Sequence, residues 1–179
     1  MSAAAWSEPV AAWRHVRAIA LLPFMNTVAI PSALLLRLPP APSPEWTAVA
    51  VAAALAGAAL AAVGVALVAH CIGLFVRFGS GTLAPWDPAR ELVSAGAYRY
   101  SRNPMKAGLF LVLAGEALAT QSVTLAAWFA CFVIVNVVYI RLHEEPGLAE
   151  RFGAGYRDYC ERVPRWWPAL RTLYRPEAR

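Results

Sequence analysis

Four stretches of mainly apolar residues, separated by short polar or proline-rich segments, dominate the pattern of this chain. They run roughly over residues 16–36, 46–76, 105–119 and 123–142. A helix needs about 20 apolar residues to cross the hydrocarbon core of a bilayer. The second stretch would be about 45 Å long as a helix, so it must tilt or extend beyond a core about 30 Å thick. The pattern predicts an all-α integral membrane protein with about four transmembrane helices.

The link between the third and fourth spans consists of little more than residues 120–122. So short a link makes the two spans an antiparallel hairpin. Its outer ends, near Arg102 and Glu144, are therefore predicted to lie on the same side of the membrane.

Two further features bear on the first two spans. Pro23 and Pro31 predict a kink in the first span, because proline removes a backbone donor from a helix. Gly57 and Gly64 lie in the alanine-rich second span, where small residues allow helices to approach closely. We therefore expect the second span to pack tightly against another helix.

Two polar segments remain outside the predicted spans: a loop over 78–103 and a tail over 143–179. The tail predicts an amphipathic helix over 148–163. It is followed by Trp166-Trp167-Pro168, a sequence suited to the lipid headgroup layer.

Composition and charge agree with a membrane location. The chain has 179 residues, of which 59% are hydrophobic and only 15% charged, and a net charge of +5. Fifteen of the sixteen Lys and Arg residues fall on one predicted side of the membrane, and only Arg37 falls on the other. By the positive-inside rule, both termini and both polar segments are predicted to be cytoplasmic. These basic residues flank apolar spans, so they indicate topology and not a nucleic-acid partner.

No metal site is predicted. The three cysteines, at positions 71, 131 and 160, are far apart and lack zinc-ligand spacing. His70 and Cys71 are adjacent, but neighbouring residues on a helix point about 100° apart and ligate poorly together.

The acidic pair Glu144-Glu145 is the first candidate for chemistry. It follows the fourth span, where a helix C-terminus would disfavour each carboxylate by roughly 0.3–1 kcal/mol. Compensation could come from Arg141 and the Arg102 region. It could also come from a bound cation, such as a ligand with an amino group or a sulfonium.

Glu116 is the second candidate, because a carboxylate at membrane depth is costly and often functional. The alternatives are a neutral acid hydrogen-bonded between helices or an interfacial position. Asn136 and His70 are predicted to form helix–helix hydrogen bonds. The loop glycines Gly79, Gly81 and Gly96 are compatible with a simple turn, followed by a helix that starts at Pro104.

The two polar segments resemble the superfamily of isoprenylcysteine carboxyl methyltransferases and phospholipid methyltransferases over roughly residues 75–168. The family pattern is a G-x-Y-x-x-x-R-H-P-x-Y-x-G motif before a helical hairpin, then an acidic pair, F-G, paired tyrosines and V-P-x-x-x-P. The matching residues are Gly96, Tyr98, Arg102, Pro104, Gly108, Glu144, Glu145, Phe152, Gly153, Tyr156, Tyr159, Val163, Pro164 and Pro168. The segment from Gly81 to Pro85 also looks like bacterial members, which implies a bacterial inner membrane.

The resemblance implies one membrane methyltransferase domain over 1–179, with S-adenosylmethionine as cofactor and a lipophilic small-molecule acceptor. The acceptor classes left open are a prenylcysteine-like carboxylate, a thiol and a lipid amine. Glu144 or Glu145 would bind the ammonium group of the cofactor, and Arg102 its carboxylate. The oligomeric state stays open.

The remaining implied cofactor-binding residues are Gly96, Tyr98, Asn103, Pro104, Gly108, Tyr156 and Tyr159. We expect Arg102, Glu116 and Glu145 to take part in catalysis. Two positions depart from the family: Asn103 replaces the usual His, and Lys106 replaces the usual Tyr. Because Asn cannot take a proton, we favour an anionic or thiol acceptor. The rival functions are an NADPH-dependent membrane reductase of the sterol-reductase type and a non-catalytic protein of the same fold.

Overall fold

The computed structural model describes residues 20–38, 47–78 and 91–166 of the chain, and these residues form helices and their connections. In chain order the elements are a π-helical segment (Ala20–Ala29), α1 (Ile30–Arg37), α2 (Ala48–Phe78), a 3-10 turn (Gly96–Arg99), α3 (Pro104–Thr120), α4 (Val123–Tyr139), a π-helical turn (Ile140–Glu144) and α5 (Glu145–Arg162). No strand occurs in these ranges, so the all-α prediction is confirmed for the described part.

Two of the described helical segments are long and apolar enough to cross a membrane. They are α2 and the helical segment Val123–Arg162, which consists of α4, the π-helical turn and α5. On α2, Val49 and Leu55 are 78% and 67% exposed. Water would disfavour these apolar surfaces, whereas lipid would solvate them. Only these two of the described helices satisfy length and composition together, so the predicted count of four spans goes beyond this finding.

The tightest packing joins α2 to α3 through four glycines. A Cβ atom built on Gly64 would lie 2.6 Å from the carbonyl oxygen of Gly108, and one on Gly115 would lie 2.6 Å from the backbone nitrogen of Ala61. Gly57 faces Gly115 in the same way. The glycines are seven residues apart on each helix, so both contacts repeat after two turns of an antiparallel pair. The expected close packing of the second span is confirmed.

The predicted hairpin of the third and fourth spans is also confirmed. α3 ends at Thr120, and the next residue, Gln121, adopts a left-handed backbone conformation with φ 50°. The Ser122 side chain then accepts a hydrogen bond from the backbone N–H of Leu125 at 3.3 Å and so caps α4. The Gln121 Nε2 donates to the Ala50 carbonyl, which brings the start of α2 to this end of the hairpin.

The first predicted span is irregular. It is π-helical around Pro23, and α1 begins with Pro31 in its first turn. The Thr27 hydroxyl donates to the Pro23 carbonyl oxygen at 2.7 Å. The indole N–H of Trp128 on α4 donates to the Asn26 carbonyl at 3.2 Å, so this segment packs against the hairpin.

The prediction that a helix ends just before the acidic pair is wrong. α4 continues through the π-helical turn directly into α5, and Pro146 is accommodated in the first turn of α5. Glu144 and Glu145 therefore lie within a continuous helical segment. The dipole of a helix C-terminus does not destabilise their carboxylates. The tail helix correspondingly starts at Glu145, before the predicted position 148. Gly153, with φ 57°, interrupts its helical geometry.

Several predicted features lie outside the described residues. They are the glycines at 79 and 81, the bacterial-type motif over 81–85, the end of the V-P-x-x-x-P motif at Pro168, and most of the link between the first two spans.

Candidate functional site

A cleft of about 670 Å³ opens between α3, α4, α5 and the π-helical segment near Pro23. Its volume is within the usual range of about 300–1,000 Å³ for small-molecule sites. One end carries charged and phenolic side chains, and the other is lined by apolar side chains at the depth of the hairpin. The polar end includes Arg102, Glu144, Glu145, Tyr98, Tyr156 and Tyr159; the apolar end includes Leu109, Trp128, Phe132 and Val135.

Glu145 joins the two polar segments of the sequence. Its carboxylate accepts two hydrogen bonds from the guanidinium of Arg165, at 2.8 and 2.7 Å, and pairs with Arg102 Nη1 at 2.9 Å. Hydrogen bonding to Glu145 raises the pKa of Arg165. Of the two alternatives for compensating the acidic pair, compensation from the Arg102 region is observed for Glu145. The compensating partners of Glu145 are Arg102 and Arg165, while Arg141 is exposed.

The turn before α3 holds the end of the tail through its backbone and polar side chains. The Arg102 backbone N–H donates to the Pro164 carbonyl at 2.9 Å. Ser101 Oγ and Asn103 Nδ2 both donate to the Arg165 carbonyl, at 3.1 and 3.2 Å. The amide of Asn103 therefore serves as a donor that docks the tail.

Two phenols of the site, those of Tyr98 and Tyr156, have raised pKa values. Burial raises the pKa of Tyr98 well above its usual value, and burial likewise raises that of Tyr156. The Tyr159 hydroxyl donates to the Tyr98 carbonyl at 2.6 Å and thereby ties α5 to the 3-10 turn. Tyr98 and Tyr156 can therefore shape the cleft and donate hydrogen bonds, but they do not act as bases near neutral pH.

Two charged groups of the cleft retain unused bonding capacity. Arg102 Nη1 also donates to Cys160 Sγ at 2.8 Å, but the buried Arg102 Nε has no hydrogen-bond partner among the described residues. Glu144 lines the cleft, and no ion pair links it to another described residue. The polar end thus contains a guanidinium with one unpartnered N–H and a carboxylate without an ion pair among the described residues.

Lys106 and Asn136 add a polar pair inside the cleft. The Lys106 ammonium on α3 donates to Asn136 Oδ1 on α4 at 3.0 Å, and both residues line the cavity. The predicted helix–helix hydrogen bond of Asn136 is confirmed. From the sequence, Lys106 was noted only as a departure from the family pattern. The sequence separation of Lys106 and Asn136 gives no indication that they meet or that they line a cavity. His70, predicted to bond similarly, is exposed beside Gly96.

Three predicted cofactor-binding residues have packing roles in the structure. Gly96 has φ 55°, and a Cβ there would approach His70 Nε2 to 2.9 Å. Pro104 starts α3, and Gly108 packs against Gly64 on α2. None of these three lines the cleft, so any influence on a ligand acts through the position of neighbouring residues.

Glu116 is not brought to the cleft. It lies near the other end of α3, about 18 Å from the first residue of that helix at the normal helical rise. Its Oε2 is buried without a hydrogen-bond partner among the described residues. The expected contribution of Glu116 to the same catalytic site receives no support from this position.

Comparison with known proteins shows which family the chain belongs to. A sequence model described as phospholipid methyltransferase matches residues 49–155, which include α2, the hairpin and most of α5. The chain belongs to the phospholipid methyltransferase family. The recognised resemblance is therefore confirmed, and the membrane and methyltransferase interpretations hold at the level of this family. The reductase alternative gains no support.

A curated relative from Alcaligenes xylosoxydans xylosoxydans, the nickel-cobalt-cadmium resistance protein NccN, is 35% identical over 89 residues. The match covers 49% of this chain and 40% of NccN, so it spans about two fifths of the length of that relative. No solved structure gives a significant match. In the described ranges, no group of three or more His, Cys, Asp and Glu residues could hold a metal ion.

Proposed function

We propose that this protein is an S-adenosylmethionine-dependent methyltransferase that acts on a lipophilic small molecule at the cytoplasmic face of the bacterial inner membrane. The observation that carries the proposal is the cleft of a phospholipid methyltransferase family member, charged at one end and apolar at the other. A polar cofactor and an apolar acceptor need both kinds of surface in one cavity.

The described residues fit the amino-acid part of S-adenosylmethionine. The guanidinium of Arg102, whose Nε has no partner among the described residues, is suited to a carboxylate. The Glu144 carboxylate, which forms no ion pair with a described residue, is suited to an ammonium group. Glu145 is already bound by two guanidinium groups, so its proposed role is to position Arg102 and the tail. The same end of the cleft is lined by Tyr98, Tyr156 and Tyr159. There the Asn103 amide holds the tail by donating to the Arg165 carbonyl.

When bound, S-adenosylmethionine supplies a methyl group on a sulfonium: the lone pair of the acceptor forms the new bond to the methyl carbon, and the electron pair of the broken carbon–sulfur bond stays on sulfur as a neutral thioether. The contribution of the protein is to hold both molecules in line and to exclude water. Arg102 and Glu144 would fix the cofactor, while Leu109 and Phe132 would surround an apolar chain.

Calorimetry on purified protein in lipid nanodiscs tests the cofactor assignment. Glu144→Gln is the sharpest variant, because this carboxylate supports no ion pair within the described structure. We expect it to weaken S-adenosylmethionine binding by roughly 10- to 100-fold, the effect of losing one charge-assisted contact of about 1.5–3 kcal/mol. The matched control is Glu150→Gln, an exposed residue of α5 that does not line the cleft.

Titration with NADPH in the same preparation tests the reductase alternative. Binding of NADPH without binding of S-adenosylmethionine would contradict the proposal. Equal loss of affinity in Glu144→Gln and Glu150→Gln would contradict the assignment of Glu144.

A further inference from the structure

The Lys106–Asn136 pair places a cation where the cleft turns from polar to apolar. Lys106 lies in the first turn of α3, one turn beyond Arg102, and its ammonium reaches Asn136 across the hairpin. Leu109 and Phe132, within one turn of these two residues on their helices, continue the cavity wall toward membrane depth. The pair is therefore at the boundary between the proposed cofactor end and the apolar end.

The ammonium of Lys106 is incompletely compensated by the described structure. Its described partner is the neutral oxygen of Asn136, and no described carboxylate forms an ion pair with it. Asn136 cannot turn away, because its Nδ2 donates to the Phe132 carbonyl at 2.9 Å and so directs Oδ1 toward Lys106. An ammonium has three donors, which leaves two for a ligand. A partly buried cation with a neutral partner favours a nearby anion.

We propose that Lys106 binds the ionised head group of the methyl acceptor, and that the acceptor is an anionic amphiphile. This inference rests on the proposed function, in which the cleft is the acceptor site. The head group would lie against Lys106 and close to Arg102, with its apolar chain along Leu109, Phe132 and Val135. A protonated amine at this position would face the Lys106 ammonium, which has no described carboxylate partner, so the site selects against lipid amines.

The phenols of Tyr98 and Tyr156 and the amide of Asn103 supply no base to the acceptor. A proton would therefore have to leave through His143 or the Glu144 carboxylate, which also line the cleft. Tyr98 and Tyr156 stay protonated, and the Asn103 amide is engaged as a donor to the Arg165 carbonyl. An anion needs no proton removed before it accepts a methyl group, whereas an ammonium does. An acceptor that arrives ionised needs neither His143 nor Glu144 as a base.

Cys131 provides a readout that is independent of methyl transfer. It is exposed and lines the apolar part of the cleft, whereas Cys71 is fully buried and Cys160 accepts a hydrogen bond from Arg102. A membrane-permeant maleimide should therefore modify Cys131 first, and peptide mass spectrometry identifies the modified residue. A chain bound in the cleft would cover this thiol and slow its modification.

The test measures Cys131 modification in zwitterionic nanodiscs with dodecanoate, dodecyl phosphate, dodecylamine or dodecanol, without cofactor. We expect protection by dodecanoate or dodecyl phosphate and none by the amine or the alcohol at equal concentration. The two acids separate a carboxylate-sized head group from a phosphate-sized one. In Lys106→Met, half-protection should need roughly 10- to 100-fold more of the acid, as for a lost charge-assisted contact.

Lys106→Arg keeps the charge and should keep most of the protection, which shows that Lys106→Met did not merely disturb the hairpin. Arg141→Met, an exposed cation outside the cleft, is the matched control and should behave like the unmodified protein. Equal protection by all four amphiphiles, protection that persists in Lys106→Met, or no protection at all would overturn the inference.

Calorimetry with S-adenosylmethionine on the same preparations separates this inference from the proposed function. Cofactor binding without charge-selective protection would overturn the Lys106 site and leave the methyltransferase proposal standing. Charge-selective protection without cofactor binding would overturn the proposed function while supporting an anion-selective cleft.

Discussion

At the scale of single residues, two adjacent acids have different environments. Glu145 is only 16% exposed at its side chain and is held by Arg102 and Arg165. Glu144 lines the cleft without an ion pair to any described residue. Both line the cleft, but consecutive helical residues point about 100° apart, so Glu145 reaches Arg165 of the docked tail and Glu144 does not. Glu145 stabilises the site, and Glu144 is available to a ligand.

Asn103 gives a prediction at the same scale. Its Nδ2 donates to the Arg165 carbonyl, so Asn103→Ala should release the tail and destabilise its docking by about 1 kcal/mol. Tryptic cleavage after Arg165 in folded protein measures this release, and we expect it to be roughly 5-fold faster. Asn103→His retains an N–H donor and should cleave at nearly the original rate. Unchanged cleavage in Asn103→Ala would show that this hydrogen bond does not hold the tail.

At the scale of elements, the packing of α3 against the antiparallel α2 fixes the position of the turn that carries Arg102. The glycines of the two helices allow their backbones to touch, and the packed pair continues toward this turn. Phe110 on α3 meets Trp166 of the tail, with ring centroids 5.4 Å apart. Displacement of α3 would therefore also disturb the contacts that hold the tail.

Gly64 and Gly73 form a matched pair for testing this packing. In Gly64→Ala the new methyl would approach the Gly108 carbonyl to 2.6 Å, whereas in Gly73→Ala nothing lies within 4 Å. We expect the first substitution to lower stability by about 1–3 kcal/mol through overpacking. The second should be neutral or stabilising by up to about 1 kcal/mol, because alanine favours a helix over glycine. Thermal unfolding in detergent compares them, and equal midpoints would contradict the close approach of α2 and α3.

At the scale of the whole molecule, the cleft lies at one end of the hairpin and extends toward its middle. This arrangement would allow a polar ligand to enter from water and an apolar one from the bilayer. It requires the polar end to face the compartment that contains the cofactor, and the distribution of basic residues predicts that this is the cytoplasm.

Reporter fusions test this orientation. Fusions at Gln121 and at position 42 should report the periplasmic side, and a fusion at the C-terminus should report the cytoplasmic side, because fifteen of sixteen basic residues lie on one predicted side. A cytoplasmic signal at Gln121 would contradict both the four-span topology and the proposed access of the cofactor.

The sequence alone determined the helical membrane character, the hairpin and the family. These properties depend on local signals in the sequence. The length of an apolar stretch predicts a membrane span, and a three-residue link makes two successive spans antiparallel neighbours. The order of the motifs identifies the family. The hairpin topology also predicted that Arg102 and Glu144 lie on the same side of the membrane. The paired glycines of α2 were likewise visible in the sequence, although their partners on α3 were not.

Only the tertiary structure decided which side chains share the cleft. Continuation of α4 into α5 removed the helix end that the sequence suggested, and Arg165 replaced Arg141 as a partner of Glu145. Glu116 looked functional because it is charged and apolar residues surround it, yet the length of α3 separates it from the cleft. Lys106 and Asn136 lie thirty residues apart in the chain, and their contact depends on the rotation of two packed helices about their axes. Motif spacing constrains that rotation weakly, whereas packing of the hairpin against α2 fixes it.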